Sequence, residues 1–503
     1  MKLRLFDQPL LILLIGIAGL SMYLPAIHAS VLRSHAEARA FFYAGSLTLI
    51  VITLIAIAMT SQPRRRSSMR NLAALMAGFL ILPVILAVPF HEALGTTTFL
   101  NSYVEMVSSL TTTGSSLFEP ARLSPTLHLW RGMVGWMGGL MIWIAASAIL
   151  APLNLGGFEV TATAEPGQGE TRITQGDIAD PQRRIIRVTA QLVPIYAGLT
   201  LALWLMLLML GDPAPVALIH AMSVMATSGI SPIGGVDVAP SGLAGEVVIA
   251  LFLLFSLSRL TFSSDTITTA RRGVQHDPEF RLGLLLVLAV TGLLFLRHYL
   301  GAFQVAGDED WLTPLRALWG SFFTTLSFLT TTGFDSAWWG AARNWSGLET
   351  SGLILMGLAM MGGGIATTAG GVKLLRVWAL YLHGLREMDR LVHPSAIGRT
   401  PKGSRIGRRG AFYAWIFFMF FALSLTVLSL GFASMGSSFE EAMVLSIAGL
   451  TTTGPLIGTT GLIAVPLIEM GQGAKLLFCA AMVLGRLELL AFVALLTSRF
   501  WQD

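Results

Sequence analysis

The chain reads as an all-α polytopic membrane protein, with two N-terminal helices followed by four helix–half-helix–loop–helix repeats around one pore. Three observations predict this. Only 12% of the 503 residues are charged and 54% are apolar, with a mean hydropathy of +0.70, whereas a soluble domain carries about 25% charge. Nearly charge-free stretches lie at 9–27, 39–59, 72–90, 129–153, 190–210, 246–262, 282–300, 351–372, 411–432 and 474–497. Each is about 18 or more residues, enough to cross a hydrocarbon core of about 30 Å, so about ten spanning helices are expected. Finally, a short string recurs: TTTGSS at 111–116, ATSGIS at 226–231, TTTGFD at 330–335 and TTTGPL at 451–456. Its glycines (Gly114, Gly229, Gly333, Gly454) stand roughly 105–120 residues apart, a spacing that marks internal repetition. A serine lies six residues before the glycine in three copies (Ser108, Ser223, Ser327), and Ala448 takes that place in the fourth.

The first apolar stretch follows Lys2 and Arg4, and Ile27-His28-Ala29 resembles a cleavage site. The stretch is longer than a signal-peptide core of roughly 7–15 residues, which favours a retained helix. Arg64, Arg65, Arg66 and Arg70 follow the second stretch and Arg271-Arg272 the sixth. Lys373, Arg376, Arg386, Arg390, Arg399, Lys402, Arg405, Arg408 and Arg409 lie between the eighth and ninth, and Asp308-Glu309-Asp310 falls on the other side. By the positive-inside rule both termini are cytoplasmic. The net charge of +5 is then a matter of topology, and nucleic-acid binding is a poor explanation of arginines that flank spans.

All four glycine loops fall on the side opposite the basic loops. Before each stands a segment too short to span: 97–110, 214–226, 314–329 and 438–450. About 14 helical residues cover only ~21 Å, which suits a half-helix that enters and turns back. Irregular backbone at that depth is tolerated where it is buried in protein or lines a watery cavity. The expected units are 1–70 as the two-helix extension, then 71–155, 185–272, 280–392 and 408–503 as the repeats. In each loop small residues let the chain extend with carbonyls toward one axis, and glycine permits φ > 0. The C-terminal end of each half-helix would aim partial negative charge at the cavity, favouring a cation. The candidate ion-binding residues are Thr111, Thr112, Thr113 and Gly114; Thr227, Ser228 and Gly229; Thr330, Thr331, Thr332 and Gly333; and Thr451, Thr452, Thr453 and Gly454. Four such loops suggest a ring of backbone carbonyls around one ion path, the design by which potassium filters replace hydration water. The alternative, a plain turn between helices, explains one copy better than four.

With these residues in view, the chain resembles the Trk/Ktr/HKT superfamily of potassium transporters, and within it the bacterial TrkH-type subunits, which share the two extra N-terminal helices. The resemblance covers nearly the whole chain. It is strongest in IHAMSVMATSGIS at 219–231, FFTTLSFLTTTGFD at 322–335, MGGGIATTAGGVKLLRVW at 361–378 and MVLGRLELL at 482–490. It implies a pseudo-fourfold potassium pore in each protomer, a homodimer in the bacterial inner membrane, and a cytoplasmic RCK-type regulatory subunit that carries a nucleotide. Potassium is then the bound ion, with no organic cofactor in this chain. Glycine at all four filter positions resembles the potassium-selective members; the sodium-selective plant relatives place serine at the first. The chain departs from the pattern at the residue after the glycine: Ser115 in the first loop, Ile230 in the second and Pro455 in the fourth.

Glycines cost about 1 kcal/mol each inside a helix, yet Gly362, Gly363, Gly364, Gly370 and Gly371 cluster in the eighth stretch around Thr367 and Thr368. A broken helix forming a loop under the filter fits them, and the resemblance implies such a gate; close helix packing through small residues is the alternative. Gly138-Gly139 is shorter, and there packing is favoured. Arg486 lies at membrane depth, where a charge is costly and usually faces a watery cavity. The resemblance places it at the pore below the filter; a local pair with Glu488 or Glu469 is the alternative. Arg259 stands nearer the basic end, where its charge can reach the interface, and Lys373 fits either a gate contact or a cytoplasmic anchor. Glu105, His220, Glu440 and Glu441 lie in or before the half-helices without a common register, which argues against a ring of carboxylates.

The single cysteine, Cys479, excludes a disulfide framework, and no zinc spacing or phosphate-binding loop occurs. A polytopic enzyme would need convergent titratable groups at one depth, and none are evident. A proton- or sodium-coupled secondary cation transporter remains the alternative. Its signature is inverted repeats, whereas all four repeats here share one polarity.

Overall fold

The structure is a computed structural model that describes residues 8–59, 68–153, 155, 157–160, 181–258, 277–301, 312–348, 350–392, 408–459 and 466–496. Among these the chain is helical, in the order α1 Leu10–Ser21, α2 Tyr23–Val31, α3 His35–Ala58, α4 Ser68–Leu94, α5 Phe99–Leu110, α6 Pro125–Ala145, α7 Pro181–Met209, α8 Ala214–Ala226, α9 Gly242–Leu253 and α10 Pro278–Gly301. Then follow α11 Thr313–Leu329, α12 Trp339–Ser346, α13 Ser351–Met361, α14 Leu374–Val392, α15 Arg408–Ser434, α16 Phe439–Thr451, α17 Leu456–Thr459, α18 Gln472–Leu487 and α19 Leu489–Leu496. The four short segments expected before the glycines are α5, α8, α11 and α16. Caps start two of them: the Thr98 side chain accepts from Asn101 N, and Ser438 with Glu441 forms a capping box.

Apolar side chains lie both inside and outside this packing. Leu47, Leu54, Leu201, Leu285, Leu293, Leu423 and Val427 are exposed on the long helices, while serine and threonine share the buried centre with leucine, phenylalanine and alanine. A chain solvated by lipid has no reason to hide leucine, but every backbone polar group at depth must find a partner inside the protein.

Seven helices among the described residues are long and apolar enough to span: 10–31, 35–58, 68–94, 125–153, 181–209, 278–298 and 410–434. The other three expected spans are interrupted. α9 passes into a 3-10 turn at Leu254–Leu257, α13 stops at Gly362, and α18 stops at Glu488, whose φ is +63°. Even α6 loosens into a π-helical turn at Ala146–Leu150. The sequence predicts a break in the third repeat alone; here the last helix of every repeat changes course. The clustered glycines reveal one break. The others occur where no glycine cluster marks them, with only a lone Gly485 before the last. One tertiary contact links two breaks: Gly364 N donates to Ser256 O at 3.0 Å.

Gly138 and Gly139 lie within unbroken α6. A Cβ on Gly138 would overlap the Leu110 carbonyl oxygen, and one on Gly139 would stand 2.8 Å from the Tyr196 hydroxyl and 2.9 Å from Ala226 Cβ. Packing is therefore their role. The basic residues 64–66, 271–272, 399, 402 and 405, the acidic run 308–310 and Arg259 lie outside the described residues.

Candidate pore and its closing loop

Each half-helix ends in the same hydrogen-bonded turn. Thr113 N donates to Ser108 O and Thr112 N to Ser109 O, both at 2.9 Å. The same pair of bonds runs from Ser228 to Ser223 and Thr227 to Val224, from Thr332 to Ser327 and Thr331 to Phe328, and from Thr453 to Ala448 and Thr452 to Gly449. This is the Schellman pattern, whose turning residue is left-handed and usually glycine. Here it is threonine every time: Thr112, Thr227, Thr331 and Thr452 have φ of +54°, +49°, +58° and +53°. A β-branched residue in that region is an outlier that costs of order 1–3 kcal/mol. From sequence the left-handed position falls to the glycines alone. Gly114, Gly229 and Gly333 do have φ of +74°, +65° and +80°. Gly454 is not among the positive-φ glycines, so its need is for space rather than conformation.

The four loops then close on one another. A Cβ on Gly114 would overlap the Ser228 carbonyl oxygen, and one on Gly229 the Thr332 carbonyl oxygen. On Gly333 it would lie 3.0 Å from Pro455 Cβ, and on Gly454 it would overlap Ser115 N. Gly454 N also donates to Thr113 O at 2.6 Å. Loop one meets two, two meets three, three meets four, and four meets one. None of the eleven Ser and Thr side chains in this ring is more than 1% exposed.

The residues after the glycines line an open cavity of about 600 Å³ that includes Ser115, Arg131, Ser231, Asp335, Pro455 and Thr459. Residues 362–371 touch the opposite side. The Thr227 and Thr368 hydroxyls lie 3.1 Å apart, Gly370 N donates to Thr331 Oγ1 at 2.7 Å, and a Cβ on Gly370 would overlap Thr451 O. Gly362 turns out of α13 with φ +72°, Gly363 O accepts from Leu374 N, Gly364 bonds Ser256, and Gly371, φ +78°, packs on Gly362. The Thr367 hydroxyl donates to Gly364 O at 2.7 Å.

Arg486 donates through Nη1 to Thr368 O at 2.6 Å, and its Nε and Nη2 have no hydrogen-bond partner among the described residues. Glu488 does not pair with it. That carboxylate holds Arg376 at 2.6 Å, and the Arg376 guanidinium lies 3.7 Å above the Phe417 ring. Lys373 is buried and donates to Ala369 O, which places it among the loop contacts rather than at an interface.

One expectation changes here. Glu105 and His220 do share a register: both stand nine residues before their glycine, and so does Thr324. Glu440 and Glu441 stand outside that register, Glu441 serving the capping box. Two charges that the motifs do not single out also have places here. Arg131 pairs with Glu105 at 2.6 Å, and Glu246 accepts from Trp319 Nε1 and Ser336 Oγ at 2.7 Å. Both are legible as charges inside apolar stretches, which are rare without a task.

Seven helices long and apolar enough to span, four short half-helices and a buried ring of loops beside an open cavity fit a membrane transport protein. The profile of TrkH, described as a cation transport protein, matches residues 241–502. The Trk system potassium uptake protein TrkH of Salmonella typhimurium is 30% identical over 415 residues, covering 81% of this chain and 80% of the relative. TrkH of Vibrio parahaemolyticus is 29% identical over 414 residues, covering 80% of each chain. The crystal structure of the potassium transporter TrkH from Vibrio parahaemolyticus shares the fold, with a TM-score of 0.81, 24% identity and 98% coverage of both chains. The chain belongs to the TrkH family of cation transport proteins. The named relatives are transporters, not enzymes.

Proposed function

We propose that this chain takes up potassium across the bacterial inner membrane, with the ring of residues 111–114, 227–229, 330–333 and 451–454 as its selectivity filter. The closed ring of loop-to-loop contacts carries this reading. Four half-helices point their C-terminal ends at one centre, where their partial negative charges favour a cation. Carbonyl oxygens there replace the ion's hydration shell. The relatives' names supply the choice of potassium.

Residues 362–371 act as the gate. In this conformation they occupy the hydroxyls of Thr227 and Thr331 and lie against loop four, which blocks the exit. Arg486 ties the loop by Thr368 O and brings a positive charge to the path, where low dielectric makes repulsion of a cation strong. Lys373 and Arg376 fasten the loop's far end. The pore works as a homodimer with both termini cytoplasmic, and a nucleotide-binding RCK-type subunit moves the loop from the cytoplasmic side. The common polarity of the four repeats weighs against the coupled secondary transporter.

The test is ⁸⁶Rb⁺ uptake into proteoliposomes with K⁺ and Na⁺ as competitors. K⁺ competes and Na⁺ does not, and Gly→Ser at 114, 229, 333 or 454 weakens that discrimination. Where the wild type is silent, Arg486→Ala restores flux. Flux indifferent to all four glycines would sink the filter assignment.

A further inference from the structure

Nine residues before the glycine in three of the four repeats, one side chain of the half-helix faces the segment that follows the same glycine. In the first repeat Glu105 accepts from Leu117 N at 2.9 Å and Ser116 Oγ at 3.0 Å. In the second, His220 Nε2 lies 2.9 Å from Ser231 Oγ. In the third, Thr324 Oγ1 accepts from Ser336 N at 3.2 Å. All three are fully buried. They share no chemistry, being a carboxylate, an imidazole and a hydroxyl, yet they tie the same place to the same place. A second brace joins the third loop: Glu246, from α9, accepts from Ser336 Oγ and Ala337 N at 2.7 Å.

The fourth repeat differs. Its residue at this register is Leu445, fully buried, which has no polar group to offer. Ala448 likewise replaces the serine that in loops one and three reaches the residue after the glycine, Ser108 to Ser115 O and Phe334 N to Ser327 Oγ, both at 2.6 Å. The fourth loop leans on its neighbours instead, through Gly454 N to Thr113 O and Thr459 Oγ1 to Asp335 Oδ2 at 3.0 Å.

We propose that Glu105, His220 and Thr324 are positioning residues that hold three of the four filter loops back against their half-helices and so set the discrimination between large and small cations. This rests on the filter assignment above. A smaller ion gains most when the carbonyls move inward to meet it. A loop tied from behind resists that movement, because contraction would break a buried hydrogen bond and leave its partners unsatisfied. Discrimination therefore comes from loops one to three, and loop four follows its neighbours.

Thr324→Val tests this, since valine matches threonine in shape and lacks the oxygen. In the ⁸⁶Rb⁺ assay the ratio of Na⁺ to K⁺ concentrations giving equal inhibition falls about tenfold, the equivalent of one buried hydrogen bond. Thr324→Ser keeps the wild-type ratio. A merely structural role would lower the amount of active protein and leave the ratio untouched. His220→Phe gives a second arm, because the new ring still faces Phe334, 5.8 Å away, without a nitrogen. Gly333→Ser is run beside them. If it alters the ratio while Thr324→Val and His220→Phe do not, the braces set no selectivity. If none of the three alters it, the filter assignment itself has failed.

Discussion

The threonine that turns each loop illustrates what a single residue contributes. A left-handed glycine would close the same turn without strain, but would bring no hydroxyl. Thr227 and Thr331 use theirs on the 362–371 segment, while the Thr112 and Thr452 hydroxyls have no hydrogen-bond partner among the described residues. The strain is thus held where polar oxygens ring the path. Asp335 is a second case. It sits in the loop after the third glycine, on the cavity side, with Oδ1 unpartnered among the described residues. Burial pushes its carboxyl up to about 7, against the opposing hydrogen bond from Thr459. A raised carboxyl is neutral below that pH and charged above it. A negative mouth concentrates cations, so the KM for Rb⁺ rises several-fold as the outer pH falls from 8 to 6. Asp335→Asn holds the weaker value throughout. A KM indifferent to pH in the wild type would remove Asp335 from this role.

Among the elements, the close seat of each half-helix on the following helix decides where the loop lies. Gly138 in α6 makes room for the last carbonyl of α5. Gly138→Ala overpacks that contact at a cost of about 1–3 kcal/mol and lowers the apparent melting temperature of the detergent-purified protein. Gly198→Ala on α7 meets nothing within 4 Å, so it holds or raises that temperature by helix propensity, up to about 1 kcal/mol. Equal effects at both sites would show that packing at Gly138 is not special. The short helices themselves are legible: the segments expected at 97–110, 214–226, 314–329 and 438–450 form 99–110, 214–226, 313–329 and 439–451. Their lengths are bounded by turn chemistry at one end and by a side-chain cap or an N-terminal proline at the other, both local. The breaks at 146, 254 and 488 are hard to read, because no glycine cluster marks them: a lone Gly485 precedes the last, and the one near 254 is met by Gly364 of another repeat.

For the whole molecule, the proposed pore lies within one chain, and the proposed homodimer would pair two complete pores. Native mass spectrometry of the purified protein therefore gives twice 54.0 kDa, and Gly114→Ser in one protomer of a tagged mixed dimer lowers K⁺ discrimination only in part. A purely monomeric mass with full uptake would discard the dimer as a functional unit.

By itself the sequence determined the lipid-solvated helical class, the fourfold recurrence and the places of the four glycines, because hydropathy and short strings are properties of neighbouring residues. It also marked the glycine cluster at 362–371 and the charge at Arg486. Only the tertiary structure decided which partners those groups take. It gave Arg486 to Thr368 O and Glu488 to Arg376, and tied Glu105, His220 and Thr324 to the segments after their glycines. It also showed that Gly454 is required by a neighbouring loop rather than by its own φ. The physical reason is that a buried polar group must be satisfied, while the partner that satisfies it can lie a hundred residues away, in another repeat.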